Sequence, residues 1–232
     1  MSALLEVSDL VIRFRRDGGV TRAVNGVSFA VAEGESLGIV GESGSGKSVS
    51  VKAIMRLLPK HAKTEGGAIT FADRSIHTLS EGGIRTLRGR SIAMIFQDPH
   101  AYLNPTKTIG SQLIEPLLFH RMADKATARA KAIELLRQVG IPSPQLRMSQ
   151  YPFEFSGGML QRVMIAMALM AEPRLLIADE PTTALDVTVQ AQIQRLLRQL
   201  KEQRGMSLHL FTPDRVVGPN TGQPMDEVYC GT

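Results

Sequence analysis

Leu37-Gly38-Ile39-Val40-Gly41-Glu42-Ser43-Gly44-Ser45-Gly46-Lys47-Ser48 is the stretch whose reading decides the fold of this chain. An apolar run of strand character, Leu37–Val40, enters a glycine-rich loop, and a helical pattern opens after it. Strand, Gly-x-x-x-x-Gly-Lys-Ser and helix, in that order, are what a phosphate cradle needs. Glycines let successive backbone N–H groups turn onto phosphate oxygens, and the start of the helix adds partial positive charge. Lys47 brings a full charge for the β- and γ-phosphates, and the Ser48 hydroxyl is a ligand for Mg²⁺. Gly41, Glu42, Ser43, Gly44, Ser45, Gly46, Lys47 and Ser48 therefore form the expected nucleotide-contacting set. A bare Gly-rich turn before a helix is the bland alternative, but it requires neither the lysine, nor the serine, nor both flanks.

The partner of that loop is Leu175-Leu176-Ile177-Ala178-Asp179-Glu180. A strand-end carboxylate at Asp179 suits the Mg²⁺ shell, and Glu180, one residue on, suits a general base for the attacking water. Alone, an apolar run ending in Asp-Glu is an ordinary strand end; the phosphate loop gives it meaning.

Composition sets the bounds. The chain has 232 residues, 43% hydrophobic and 21% charged, with a net charge of +5. That suits one globular domain with a sizeable core. The basic residues are spread along the chain with no long run, so the charge reads as a solvated surface. Trp is absent and Tyr occurs three times, which leaves no stacking platform for single-stranded nucleic acid, and no nucleic-acid partner is expected. A single cysteine, Cys230, excludes an internal disulfide and a cysteine-rich metal site. Without a secretory pattern, a cytoplasmic location is expected. No window approaches the ~18 apolar residues of a spanning helix, so a membrane role would be peripheral.

Short strands are expected at Leu4–Val7, Leu10–Phe14 and Ala23–Val31, with a turn at Asp17-Gly18-Gly19, as an antiparallel layer. Leu37–Val40, Ile92–Phe96, Leu175–Ala178 and Leu208–Phe211 read as buried parallel strands. The first three end in polar clusters, the place where doubly wound sheets bind ligands. Between Pro99 and Pro173 the pattern turns helical. Asp124 is placed to cap a helix with Ala132, Leu135, Leu136 and Val139 on one face, stopped by Gly140 and Pro142. Met159–Met170 reads as another helix, and Thr188 as the cap of a third, with Val189, Ile193, Leu196, Leu197 and Leu200 on one side. Beyond Gly205 the pattern fades, and residues 218–224 read as loop.

Ser156-Gly157-Gly158-Met159 at a helix start is a further candidate anion site, and it resembles the Leu-Ser-Gly-Gly-Gln signature of the ATP-binding cassette (ABC) family. With it, several motifs fall into that family's order. Phe96-Gln97-Asp98-Pro99 followed by Leu103-Asn104-Pro105 resembles the Q-loop of the dipeptide/oligopeptide importer group. Tyr151-Pro152 ahead of Glu154-Phe155-Ser156-Gly157-Gly158-Met159, and Ala178–Gln190, resemble that group too; Ala184-Leu185-Asp186 corresponds to the D-loop. The resemblance covers roughly residues 4–212.

It implies an α/β P-loop NTPase with a mostly parallel core sheet, an N-terminal antiparallel β subdomain and an inserted helical subdomain. The implied layout is a single cassette over 1–232: nucleotide-binding core at about 1–98 and 173–212, helical subdomain 99–172, divergent tail 213–232. It implies ATP and Mg²⁺ as ligands, with Glu180, Lys47 and Gln97 catalytic and Ser48, Gln97 and Asp179 on the metal. Ser156, Gly157 and Gly158 would complete the nucleotide site of a partner. Phe14 is the candidate to stack on adenine, with a core strand aromatic as the equal alternative. Implied partners are a second ATPase subunit in a homo- or heterodimer, transmembrane permease subunits and an extracytoplasmic solute-binding protein. The implied location is the cytoplasmic face of the membrane.

One position departs from the family. Its switch histidine follows the last core strand in a pattern like Ile-Thr-His-Asp, whereas this chain reads Phe211-Thr212-Pro213-Asp214. Proline has neither a side-chain donor nor a backbone N–H, so it cannot bond a γ-phosphate. His209, four residues earlier, would have to slip register to substitute. The chain then stops at Thr232 where the group continues. A truncated gene, a frameshift and a genuine short variant are all open explanations.

Overall fold

The computed structural model describes residues 3–16, 19–41, 44–181, 186–212 and 226–229. The chain divides into two compact units, residues 1–88 with 206–232, and residues 89–205. In the first segment lie β1 (Ala3–Arg16), β2 (Gly19–Ala32), β3 (Ser36–Val40), α1 (Lys47–Ile54), β4 (Ala62–Phe71), β5 (Arg74–Ser75) and α2 (Glu81–Leu87). The second unit holds β6 (Ile92–Ile95), α3 (Pro99–Tyr102), α4 (Ile109–Phe119), α5 (Lys125–Gln138), α6 (Pro144–Arg147), a 3₁₀ turn at Pro152–Glu154, α7 (Gly157–Leu169), β7 (Leu175–Asp179) and α8 (Val187–Arg204). The chain then returns to the first unit as β8 (Ser207–Thr212) and β9 (Asp226–Tyr229).

In the first unit β1 pairs antiparallel with both β2 and β4. The expected strands Leu4–Val7 and Leu10–Phe14 are one strand with a bulge. Leu5, Val7, Leu10 and Ile12 are all buried, so the inward phase skips one residue between Val7 and Leu10. One extra residue is what a bulge inserts. Asp9 takes it up at φ 48, its N–H donating to Ser28 Oγ at 2.8 Å. Opposite, β4 passes with Gly67 at φ 84, where a Cβ would lie 2.4 Å from the Ser8 carbonyl oxygen. The hairpin closes at Arg16 and Gly19; the expected turn residues Asp17 and Gly18 lie outside the described residues.

β3 runs parallel to β8, Ser36 beside Leu208 through Val40 beside Thr212. On its other side β9 pairs from Leu37–Asp226 to Val40–Tyr229, a strand the sequence did not announce. Ser207 ties β8 in place. Its buried hydroxyl accepts from the Gly34 N–H at 2.8 Å and donates to the Ala32 carbonyl at 3.1 Å. This register puts His209 beside Leu37, fully buried, its ring edge-on to Phe29 at 5.0 Å. His209 is thus a core residue of β8 and does not take the switch position. Pro213 itself lies outside the described residues.

In the second unit β6 and β7 pair in parallel, Ile92 beside Leu175 through Ile95 beside Ala178, every one of these residues buried. Runs apolar at each position, without alternation, are the mark of strands covered on both faces. Asp124 caps α5 as expected, Oδ1 accepting from Thr127 N–H at 2.7 Å; that bond holds its carboxyl below the usual range. Ala128, Ala132, Leu135 and Leu136 face inward. The cap of α8 is a correction: Asp186, not Thr188, accepts from Val189 N–H at 2.9 Å. Asp186 precedes the first helical turn, and Thr188 already lies inside it.

Gln112 of α4 is buried, and it holds the loop after α3. Its Oε1 accepts from Asn104 N–H at 2.8 Å, and its Nε2 donates to the carbonyls of Asn104 at 3.1 Å and Lys107 at 3.0 Å. Gln112→Leu keeps the volume and strands three backbone groups. It is expected to lower unfolding stability by about 2 kcal/mol or more, read from urea titrations; a change below 0.5 kcal/mol (roughly the noise of a surface exchange) would show the loop is held otherwise.

Candidate active site

In the first unit the loop before α1 is shaped by its glycines. Gly44 and Gly46 sit at φ 88 and φ 89, a left-handed region that side chains resist. At Gly46 a Cβ would also lie 2.3 Å from the Ala23 carbonyl oxygen of β2, so strand and loop approach each other too closely for any other residue. Alternating backbone handedness of this kind turns N–H groups towards one concavity. Lys47 is buried at 4% exposure. Its ammonium donates to the Gly41 carbonyl and contacts Ser45 Oγ at 3.4 Å, so the cation is held within the loop by its first residue and by Ser45. Ser48, on the first turn of α1, is half-buried. Glu42 and Ser43 lie outside the described residues.

Phe14 belongs to the same unit, on β1 between Thr21 of β2 and Ala62 of β4. It is half-buried rather than core, and its ring tilts against His61 at 5.5 Å.

In the second unit β6 and β7 end side by side, and the candidate residues Gln97, Asp179 and Glu180 lie at those ends. Asp179 closes β7 and is buried at 5% exposure. Glu180 follows at φ 46, a left-handed conformation that costs a non-glycine residue about 1–3 kcal/mol. Asp9 in the β1 bulge shares this conformation; at Glu180 it turns the chain out of the strand directly after Asp179. Continuing the pairing of Ile95 with Ala178 brings Gln97 beside Glu180. Gln97 Nε2 donates to Glu180 Oε2 at 3.1 Å, so the amide nitrogen is the end of Gln97 that faces the carboxylate.

Ser156 caps α7, its hydroxyl accepting from Met159 N–H at 3.4 Å. The N–H groups of Gly157 and Gly158 lie in the first turn and have no intrahelical acceptor. Ala184 and Leu185 lie outside the described residues, and Asp186 serves as the α8 cap. Among the described residues no cluster of three or more His, Cys, Asp or Glu forms. Mg²⁺ bound with a nucleotide needs only one or two protein carboxylates beside phosphates and waters; Ser48 in the first unit and Asp179 in the second each carry a hard oxygen of the kind it takes. Among the described residues no helix is long and apolar enough to cross a membrane.

The first unit thus holds a glycine-shaped loop of the phosphate-binding kind, and the second a strand that ends in buried Asp179 and half-buried Glu180. The family model described as ABC transporter matches residues 24–183, and the chain belongs to that family. A probable peptide ABC transporter ATP-binding protein of Sinorhizobium fredii is 52% identical over 98% of this chain and 68% of its own. An oligopeptide transport ATP-binding protein of Bacillus subtilis is 49% identical over 100% of this chain and 65% of its own. A dipeptide transport ATP-binding protein of Escherichia coli is 47% identical over 99% and 70%. The chain thus spans about two thirds of the length of these relatives. A dimeric ATP-binding cassette solved in a post-hydrolysis state with ADP and Pi matches with a TM-score of 0.80 at 28% identity, over 90% of this chain and 88% of that one. The fold is the ABC ATPase fold: an antiparallel N-terminal sheet, parallel strands, and helices inserted between them.

Proposed function

We propose that this chain is the ATP-binding and ATP-hydrolysing subunit of a membrane importer for peptides or similar small solutes. The observation that carries the reading is the loop at Gly41–Ser48, with buried Lys47 bonded to its own Gly41 carbonyl. The relatives, ATP-binding proteins of peptide, dipeptide and oligopeptide transport, support the solute class.

Lys47 and the loop amides bind the β- and γ-phosphates, and Phe14 stacks on adenine. Ser48, Gln97 and Asp179 offer Mg²⁺ its oxygen ligands. Bound there, Mg²⁺ supplies charge neutralisation to the phosphates. Glu180 takes the proton from the attacking water. Ser156, Gly157 and Gly158 serve the ATP of a second cassette, so the working form is a dimer docked on permease subunits at the cytoplasmic face. An extracytoplasmic binding protein delivers the solute. Closure on ATP and reopening after hydrolysis drive the permease.

Pro213 favours a second reading, a cassette that binds ATP without hydrolysing it, because it lacks the donor that the family places there. ATP binding and turnover, measured on the native chain and on Pro213→His, separate the two. Expected are equal ATP affinity and a turnover at least about tenfold higher in the histidine variant, the scale of one lost hydrogen bond to a charged phosphate. Equal turnover in the two chains would show that Pro213 impairs nothing. Binding without turnover in both, together with failure to assemble on permease subunits, would replace the first reading with the second.

A further inference from the structure

Gln97 is exposed, and so is its bond to Glu180. A glutamine leaving the end of a strand has rotamer freedom to lose, and a single solvent-facing hydrogen bond returns little of it. Something else must fix the chain where Gln97 stands. The neighbouring geometry supplies it. Phe96, directly before Gln97, and Tyr102, the last residue of α3, stack face to face with centroids 3.7 Å apart and planes within 10°. Between the two rings the chain makes one tight turn. Asp98 Oδ1 accepts from His100 N–H at 2.9 Å, and the Leu103 N–H donates to the Pro99 carbonyl at 3.0 Å. Both ends of this turn are anchored. On one side lies β6, buried throughout; on the other lies buried Leu103, followed by Asn104 held on Gln112. Tyr102 is itself 46% exposed, so the core does not need it for filling, and its ring lies on Phe96.

We propose that Phe96 and Tyr102 form an aromatic clasp that closes the Gln97 turn and presents the Gln97 amide to Glu180, which makes Tyr102 a positioning residue for ATP hydrolysis. The inference rests on the function proposed above. With the clasp shut, the amide nitrogen orients the carboxylate that takes the proton from water. With the clasp open, Gln97 is released from Glu180 and its turn swings with α3. The two rings thus couple the path of the chain after β6 to the geometry of the base on β7.

The test uses a readout that does not need turnover. The side-chain amide resonance of Gln97 is assigned by its disappearance in Gln97→Ala. In Tyr102→Ala that resonance is expected to move to the position of a solvated glutamine. On the Pro213→His chain, Tyr102→Ala is expected to lower kcat for ATP about three- to tenfold, the weight of an aromatic pair, with KM for ATP within about twofold. Tyr102→Phe and Tyr102→Trp keep the ring and are expected to restore both the resonance and the rate. A Gln97 resonance unchanged in Tyr102→Ala overturns the clasp, as does a displaced resonance with kcat unaltered. Absence of turnover in the parent chains sinks the hydrolytic reading instead, and the amide resonance still decides whether the clasp holds Gln97.

Discussion

Replacing Glu180 by glutamine is expected to lower kcat for ATP about 10²–10⁴-fold, the usual contribution of a positioned base, with ATP affinity within about threefold. Ala178 and Asp179 are buried, and the chain breaks out of the strand at Glu180 with φ 46, so the next carboxylate is carried clear of the core. It meets Gln97 Nε2 at 3.1 Å. A glutamine at 180 has the same length, and its amide oxygen can accept the same bond, so the arrangement survives while the proton acceptor is lost. Lys47 and Ser48, to which the proposed function assigns phosphate and Mg²⁺ binding, are untouched. The measurement is single-turnover hydrolysis beside equilibrium ATP binding, on the Pro213→His chain. Turnover within tenfold of the parent would mean that water is activated elsewhere and that Asp179-Glu180 is only a strand end. Glu180→Gly separates strain from chemistry. It is expected to abolish turnover equally and to stabilise the fold by about 1 kcal/mol, since glycine adopts a positive φ without cost.

Much of this was legible in residues 37–48 and 175–180 because those segments obey simple rules. A strand buried on both faces is apolar at every position, so β3, β6 and β7 stand out of the sequence to within a residue or two. The phosphate loop is legible because glycine, lysine and serine are each required by a different demand at a fixed spacing. In the sequence β1 reads as two strands because its inward alternation changes phase at Ser8–Asp9, and a sequence pattern cannot say whether a phase change is a turn or a bulge. Gly67, which admits that bulge, lies far along the chain on β4. β9 escaped because Asp226 and Glu227 are poor strand formers, and its place is set by pairing with β3. The cap of α8 is Asp186 rather than Thr188 because both are good caps only two residues apart, and only the backbone decides between them. The pairing of Gln97 with Glu180 follows from register and could have been drawn from two aligned strand ends. The Phe96–Tyr102 stack could not, because it depends on the tightness of the turn between them.

Acid is expected to unfold the native chain more readily than its His209→Leu variant. His209 is an imidazole at 0% exposure inside β8, and burial pushes its pKa from the ordinary 6.5 down to about 3. Its neighbour Phe29 gives the ring an edge contact but no charge. Below pH 6.5 the unfolded chain takes up a proton there and the folded chain does not, so unfolding becomes more favourable as pH falls, until about pH 3. Above pH 7 the group is neutral in both states and contributes no slope. The loss amounts to about 1.4 kcal/mol per pH unit inside that window, or about 2.5 kcal/mol between pH 7 and pH 4.5. Carboxylates titrate in the same range, which is why the variant is the reference: they are common to both chains and cancel. Urea unfolding of both chains at the two pH values gives the difference, and the native chain should lose about 2.5 kcal/mol more than His209→Leu. Equal losses would mean that the imidazole reaches water in the folded state. That result would require β8 to leave its register with β3, and it would reopen the question of whether His209 can reach the position that Pro213 leaves without a donor.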